Sequence, residues 1–120
     1  RMVNEPFATH VRAHDSQQSV ATIIDLSGEI NAFAEDDLNT AYAEAEVFDT
    51  PVIVLNFGQV TYINSTGIAL IVALLARARK TGRRLAVYGL SDHYEDIFRI
   101  TRLSDFMSIY SDETTALAEL

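Results

Sequence analysis

Two nearly uninterrupted apolar runs constrain this chain more than any other feature: Val-Ile-Val-Leu-Asn-Phe at 52–57 and Leu-Ala-Val-Tyr-Gly-Leu at 85–90. A strand with one wet face alternates apolar and polar residues, and these runs do not alternate, so both of their faces must be covered. The segment between them changes period. Asn64-Ser65 offers a helix N-cap, Ile68, Leu70, Ile71, Val72, Leu74 and Leu75 follow, and Gly82 supplies a stop, which predicts a helix over 66–81. With apolar residues nearly all round, it is expected to be the most buried helix. A buried strand, a crossover helix and a second buried strand make a parallel α/β unit with a right-handed connection.

The flanking segments extend that unit. Phe7, Thr9, Val11 and Ala13 alternate with Ala8, His10 and Arg12 as in a half-buried strand, and Asp15-Ser16-Gln17-Gln18 reads as a polar turn. A second strand is predicted over 19–26 and is expected to break at Ser27-Gly28. Ala34, Leu38, Ala41, Tyr42 and Ala45 then fall on one face of an amphipathic helix, with Glu35, Asp36, Asp37 and Glu44 on its wet side. Residues 58–63 read as a loop. After the strand at 85–90, Ser91-Asp92 should cap a helix running to about 102, residues 106–110 a short strand, and Ser111 should cap a closing helix carrying Leu117 and Leu120. The expected architecture is one α/β domain over 1–120: a mixed, mostly parallel sheet with an N-terminal antiparallel hairpin and about four helices. The loops after its parallel strands share one rim, the usual ligand and partner side of open α/β sheets.

Composition removes several function classes. The 120 residues carry 9 Lys and Arg against 17 Asp and Glu, a net charge of −8, so nucleic acid and anionic membrane surfaces are repelled overall. Five of the nine cations (Arg77, Arg79, Lys80, Arg83, Arg84) cluster around the end of the long helix. There they complement its dipole or form a docking patch. Cysteine is absent, which excludes disulfides, thiolate metal sites and a cysteine nucleophile. The longest apolar stretch is far short of the roughly 20 residues of a membrane span, so no direct membrane insertion is expected. No secretory signal is recognisable, Arg1 ahead of Met2 is left out of the fold reasoning, and a cytoplasmic location is expected.

The rim stretch Asn64-Ser65-Thr66-Gly67 holds the most chemistry. Two hydroxyls stand at a helix start, where free N–H groups and the dipole favour negative charge, and a cap needs only one of them. The spare one is a candidate phosphoacceptor. Enzyme readings find little support. A G-x-S-x-G elbow would need glycine where Ile63 stands, and the one histidine after Ser65, His93, adjoins Asp92 and leaves no separate acid for a triad. His10 and His14 lie too far apart along a strand for a metal pair, and no phosphate-binding glycine loop occurs. No cofactor or metal is expected.

Asp25-Leu26-Ser27-Gly28-Glu29-Ile30-Asn31, Val54-Leu55-Asn56-Phe57 and Thr61-Tyr62-Ile63-Asn64-Ser65-Thr66-Gly67-Ile68-Ala69 together resemble the STAS domains of bacterial anti-sigma-factor antagonists. The stretch 97–120, with Leu103-Ser104-Asp105-Phe106 and Ile109-Tyr110-Ser111-Asp112-Glu113, is similar to the family's closing helix–strand–helix. The resemblance implies a non-enzymatic module that binds an anti-sigma factor doubling as a GHKL-type serine/threonine kinase. It also implies phosphorylation on the residue just before the motif glycine, Thr66 here, with Ser65 as second choice. Asn31, Asn64, Ser65, Thr66 and Gly67 would form the partner surface, and self-association as a homodimer is admitted. The chain departs from the family pattern at Asn31 and Asn64, where the family carries acids. A constitutive subunit or scaffold of a transport or signalling complex, or a small-ligand or nucleotide-binding STAS module, are the alternatives.

Overall fold

The switches between two-residue and 3.6-residue periods are realised as nine strands and helices in the expected order. A computed structural model describes residues 5–17 and 19–120. Along the chain run β1 (Ala8–Asp15), β2 (Val20–Ile30), a 3-10 turn (Ala32–Ala34) leading into α1 (Glu35–Val47), β3 (Val52–Ile63), α2 (Ser65–Lys80), β4 (Arg84–Tyr88), α3 (Asp92–Ile100), a second 3-10 turn (Leu103–Asp105), β5 (Ser108–Tyr110) and α4 (Glu113–Ala118). The described residues form one five-stranded sheet ordered β1-β2-β3-β4-β5. Only β1 and β2 are antiparallel; the other pairs are parallel. The hairpin turn closes through the Ser16 N–H on the Ser19 carbonyl at 2.9 Å; Gln18, assigned to that turn from sequence, lies outside the described residues.

Two expected breaks do not occur. Ser27-Gly28 does not end β2, and residues 58–63 are strand, not loop. The two errors have one cause. β2 absorbs register shifts between Asp25 and Ser27 and between Gly28 and Glu29, then continues, so residues 59–63 of β3 find partners in residues 27–30. Gly28 serves this bulge: its φ is +81°, and a Cβ there would lie 2.2 Å from the Pro6 carbonyl oxygen. One cap assignment shifts by one residue as well. Of the Asn64-Ser65 pair it is Asn64 that caps α2, while Asp112, not Ser111, caps α4, each accepting a backbone N–H at 2.8 Å. Asn and Asp oxygens reach the N3 amide as a cap requires. Ser91 caps α3 as expected.

The sheet separates two cores. On one face Ile24, Leu26, Ile53, Leu55, Phe57, Leu85 and Val87 meet Leu38, Ala41, Tyr42 and Ala45 of α1, Ile71, Leu74, Leu75 and Ala78 of α2, and Phe98 of α3. All five apolar positions assigned to α1 from sequence are buried. α2 is covered on one side only: Ala69, Val72, Ala73 and Ala76 face solvent, so it is not encircled by core. On the opposite sheet face Ala21, Ile23, Val52, Val54 and Ala86 are roofed by Ala116 and Leu117 of α4 and by Leu120 just beyond it. Six residues of helix cannot span this face, and its other half stays open.

Candidate functional site

The rim is built where β2 and β3 end and α1 and α2 begin. The Asn64 N–H donates to the Ile30 carbonyl at 3.2 Å, and the Ile68 N–H donates to the Asn64 carbonyl at 2.9 Å. Asn64 Oδ1 accepts the Gly67 N–H. The Ile30 carbonyl also presses against Gly67, where a Cβ would stand 2.2 Å from its oxygen. This seam brings Asn31, one residue past Ile30, beside Thr66, one residue before Gly67, although 35 positions separate them in sequence. The expected shared rim is present.

The amides of Gly67 and Ile68 are not free, because the cap side chain and the cap carbonyl take them. The first-turn donors taken neither by the helix nor by the cap are those of Ser65 and Thr66. Since Asn64 does the capping, both hydroxyls are available, and both residues are exposed. The stability a cap provides, about 0.5–2 kcal/mol, therefore resides in Asn64 and not in Ser65. No acid stands in the first turn of α2. A phosphate on either hydroxyl would meet a positive helix end.

Asn31 has a local task too. Its Oδ1 accepts the Phe33 N–H at 2.9 Å and so fixes the 3-10 turn before α1. That turn holds Phe33 almost wholly in solvent, 94% exposed, beside a groove of about 300 Å³ lined also by Glu5, Pro6, Phe7, Glu29, Asn31 and Asp37. The sequence reading passed over Phe33. Its signal was there, since Phe33 is out of phase with the buried series beginning at Ala34.

A second polar cluster, also missed, lies on the open half of the α4 face. Arg12 forms a two-pronged pair with Asp25, at 2.7 and 3.1 Å, and also pairs with Glu113. Tyr88 donates to Glu113 at 2.6 Å, and Asn56 donates to Asp25 at 2.8 Å. These residues come from four strands and α4, and Arg12, Asp25 and Asn56 border a groove of about 500 Å³. Burial pushes the Asp25 carboxyl up, but hydrogen bonds from Arg12 and Asn56 outweigh it and hold the group below its ordinary range. Arg12 and then Tyr88 hold Glu113 down, while burial and then Glu113 push the Tyr88 hydroxyl up.

Both carboxylates are thus depressed in the folded state. Their stabilisation is fully present above their unfolded values near pH 4 and is lost as pH falls through the depressed ones. Thermal melts from pH 7 to pH 2 should therefore show a steeper acid loss for the wild type than for Arg12→Met. Equal slopes would mean the cluster contributes nothing to acid stability.

His14 Nε2 lies 3.1 Å from Ser19 Oγ, and His10 stands four residues away on the same strand, about 13 Å at strand rise. Among the described residues, no helix is long and apolar enough to cross a membrane.

Comparison with known proteins converges on one family. The model of the STAS domain matches residues 12–116. The anti-sigma-B factor antagonist of Listeria monocytogenes is 31% identical over 88 residues, covering 73% of this chain and 77% of that protein. An anti-sigma factor antagonist from Mycobacterium paratuberculosis shares the fold with a TM-score of 0.77 at 19% identity, over 95% of this chain and 93% of that one. The Bacillus cell fate determinant SpoIIAA in its phosphorylated form superposes with a TM-score of 0.62 at 16% identity, over 89% of this chain and 96% of that one.

Proposed function

The chain belongs to the STAS domain family, and we propose that within it the protein is an anti-sigma factor antagonist, a non-enzymatic module whose rim binds an anti-sigma factor. The sequence relatives named anti-sigma-B factor antagonist support that role. In the finer reading, the partner doubles as a GHKL-type serine/threonine kinase and Thr66 is the switch. The observation that carries it is the division of labour at the start of α2. Asn64 caps the helix, so the exposed Thr66 and Ser65 hydroxyls are left for another use, beside Asn31. Unmodified, Asn31, Asn64, Ser65 and Thr66 present a compact surface without charge, and Gly67, buried against Ile30, supports it from beneath. A phosphate adds about −1.5 to −2 charges and excludes a partner fitted to the bare hydroxyl. Phe33, displayed beside the same rim, is suited to anchor that partner.

The test is incubation with the cognate kinase and ATP, phosphopeptide mapping, and partner affinity measured for each variant. Thr66→Ala should bind and take no phosphate; Thr66→Glu should bind about tenfold more weakly, by the cost of a buried unpaired charge. Asn64→Asp supplies the family's acid and should speed modification. Phosphate on Ser65 alone would move the acceptor by one residue. The competing reading, a constitutive subunit or scaffold of a larger complex, draws on the two asparagines at 31 and 64. It is favoured if neither hydroxyl is modified and Thr66→Glu binds like the wild type.

A further inference from the structure

We propose that the distal half of α2 and the turn after α3 form a second docking surface, separate from the rim, for an acidic partner segment carrying one or two large apolar side chains. Val72 and Phe106 are 44% and 54% exposed, and with Leu75, Ala76 and Arg79 they line a shallow groove of about 210 Å³. That volume admits a leucine or phenylalanine, not a folded ligand. Phe106 is presented deliberately. Leu103 and Met107 on either side of it are buried, and the turn that carries it begins at Arg102, a non-glycine residue with φ of +68°. Backbone in the left-handed region is a local cost that persists where the surroundings impose it.

Charge selects the occupant. Arg77, Arg99 and Arg102 are paired with Glu46, Asp96 and Asp105. Among the described residues neither Arg79 nor Lys80 forms an ion pair, and the Arg79 guanidinium lies over the Phe106 ring, 5.2 Å from its centroid. An apolar floor edged by Arg79, with the unpaired Lys80 next to it in α2, in a chain of net charge −8, suits a short acidic segment. It does not suit an extended polyanion or an anionic bilayer, because either would reach past these few cations onto the acidic remainder of the surface and be repelled there. Thirteen residues of helix separate Thr66 from Arg79, about 20 Å, so the rim and this groove can be occupied independently.

The experiment is a titration of the isotopically labelled protein, followed by amide chemical shifts. The probe is a synthetic amphipathic peptide with a Leu/Phe stripe and glutamates opposite; its lysine counterpart is the control. Shifts should concentrate at residues 72–80 and 103–107, weaken with salt, and be absent with the lysine peptide. Arg79→Glu and Phe106→Ala should each reduce affinity about tenfold, while their melting temperatures stay near wild type. The proposal fails if the lysine peptide binds as well, if the shifts centre on residues 31–37 and 64–67, or if phosphatidylglycerol vesicles bind and the acidic peptide does not. Concentration-dependent shifts of the same amides without peptide would assign the groove to a second copy of the chain and overturn it too. Whether Thr66 takes a phosphate is read by the separate kinase experiment, so either proposal can fail without the other.

Discussion

Phe98→Ala should lower the unfolding free energy by about 3–5 kcal/mol, the range for deleting a buried aromatic side chain. Phe98 has no exposed surface and is the one buried residue of α3. Its ring meets Phe57 of β3 edge-on, centroids 6.0 Å apart. The other apolar residues of α3 cannot compensate, since Ile100 is 77% exposed and Ile97 only partly covered. A domain of this size has about 5–15 kcal/mol in hand, so the loss is a large share. The damage should reach the rim as well. Tyr94 of the same helix accepts the Ile63 N–H at 2.8 Å, immediately before the Asn64 cap. Urea unfolding should show a lower midpoint with an unchanged slope. Ile100→Ala should stay within about 0.5 kcal/mol. A loss under about 1 kcal/mol for Phe98→Ala would mean that α3 is not held by this contact.

Legibility in the sequence tracks the range of the interaction involved. The buried face of α1 was readable because one short-range period decides it. The parallel core of β3 and β4 was readable because a run without alternation has few other uses. β2 and β3 were both cut short, since Gly28 and Gly58 each signal a break and nothing local reveals that a bulge will carry the ladder onward. The Arg12 cluster was invisible for a stronger reason: positions 12, 25, 56, 88 and 113 meet only once the sheet order is known. At the rim, the motif located the right stretch and the Asn64-Ser65 pair as the cap, but which of the two caps is decided by the structure, where the asparagine side chain takes the Gly67 amide. That choice leaves both hydroxyls over. Phe33 was overlooked because reading for buried periods passes over residues that fall between them.

Gly67→Ala tests the seam on which the shared rim depends, and here two physical effects pull in opposite directions. Within an ordinary helix the exchange would stabilise by about 0.8–1 kcal/mol, since alanine is the better helix former. At this position the new methyl carbon would sit 2.2 Å from the Ile30 carbonyl oxygen and 2.8 Å from Ile63 Cγ2. The side chain of Ile63 could turn aside, but the carbonyl is backbone and also accepts the Asn64 N–H. Relief therefore requires α2 to back away from the end of β2. Overpacking of this kind costs about 1–3 kcal/mol, enough to reverse the propensity gain. Because the Gly67 amide is the one Asn64 caps, the shift should loosen the cap and move Thr66 away from Asn31. The expected result is a lowered melting temperature together with weakened partner binding and slower modification of Thr66. Ala69→Gly, on the exposed side of the same helix, should cost about 1 kcal/mol and leave the rim intact. A Gly67→Ala protein more stable than wild type would show that helix propensity wins here and that Ile30 and α2 do not meet as closely as described.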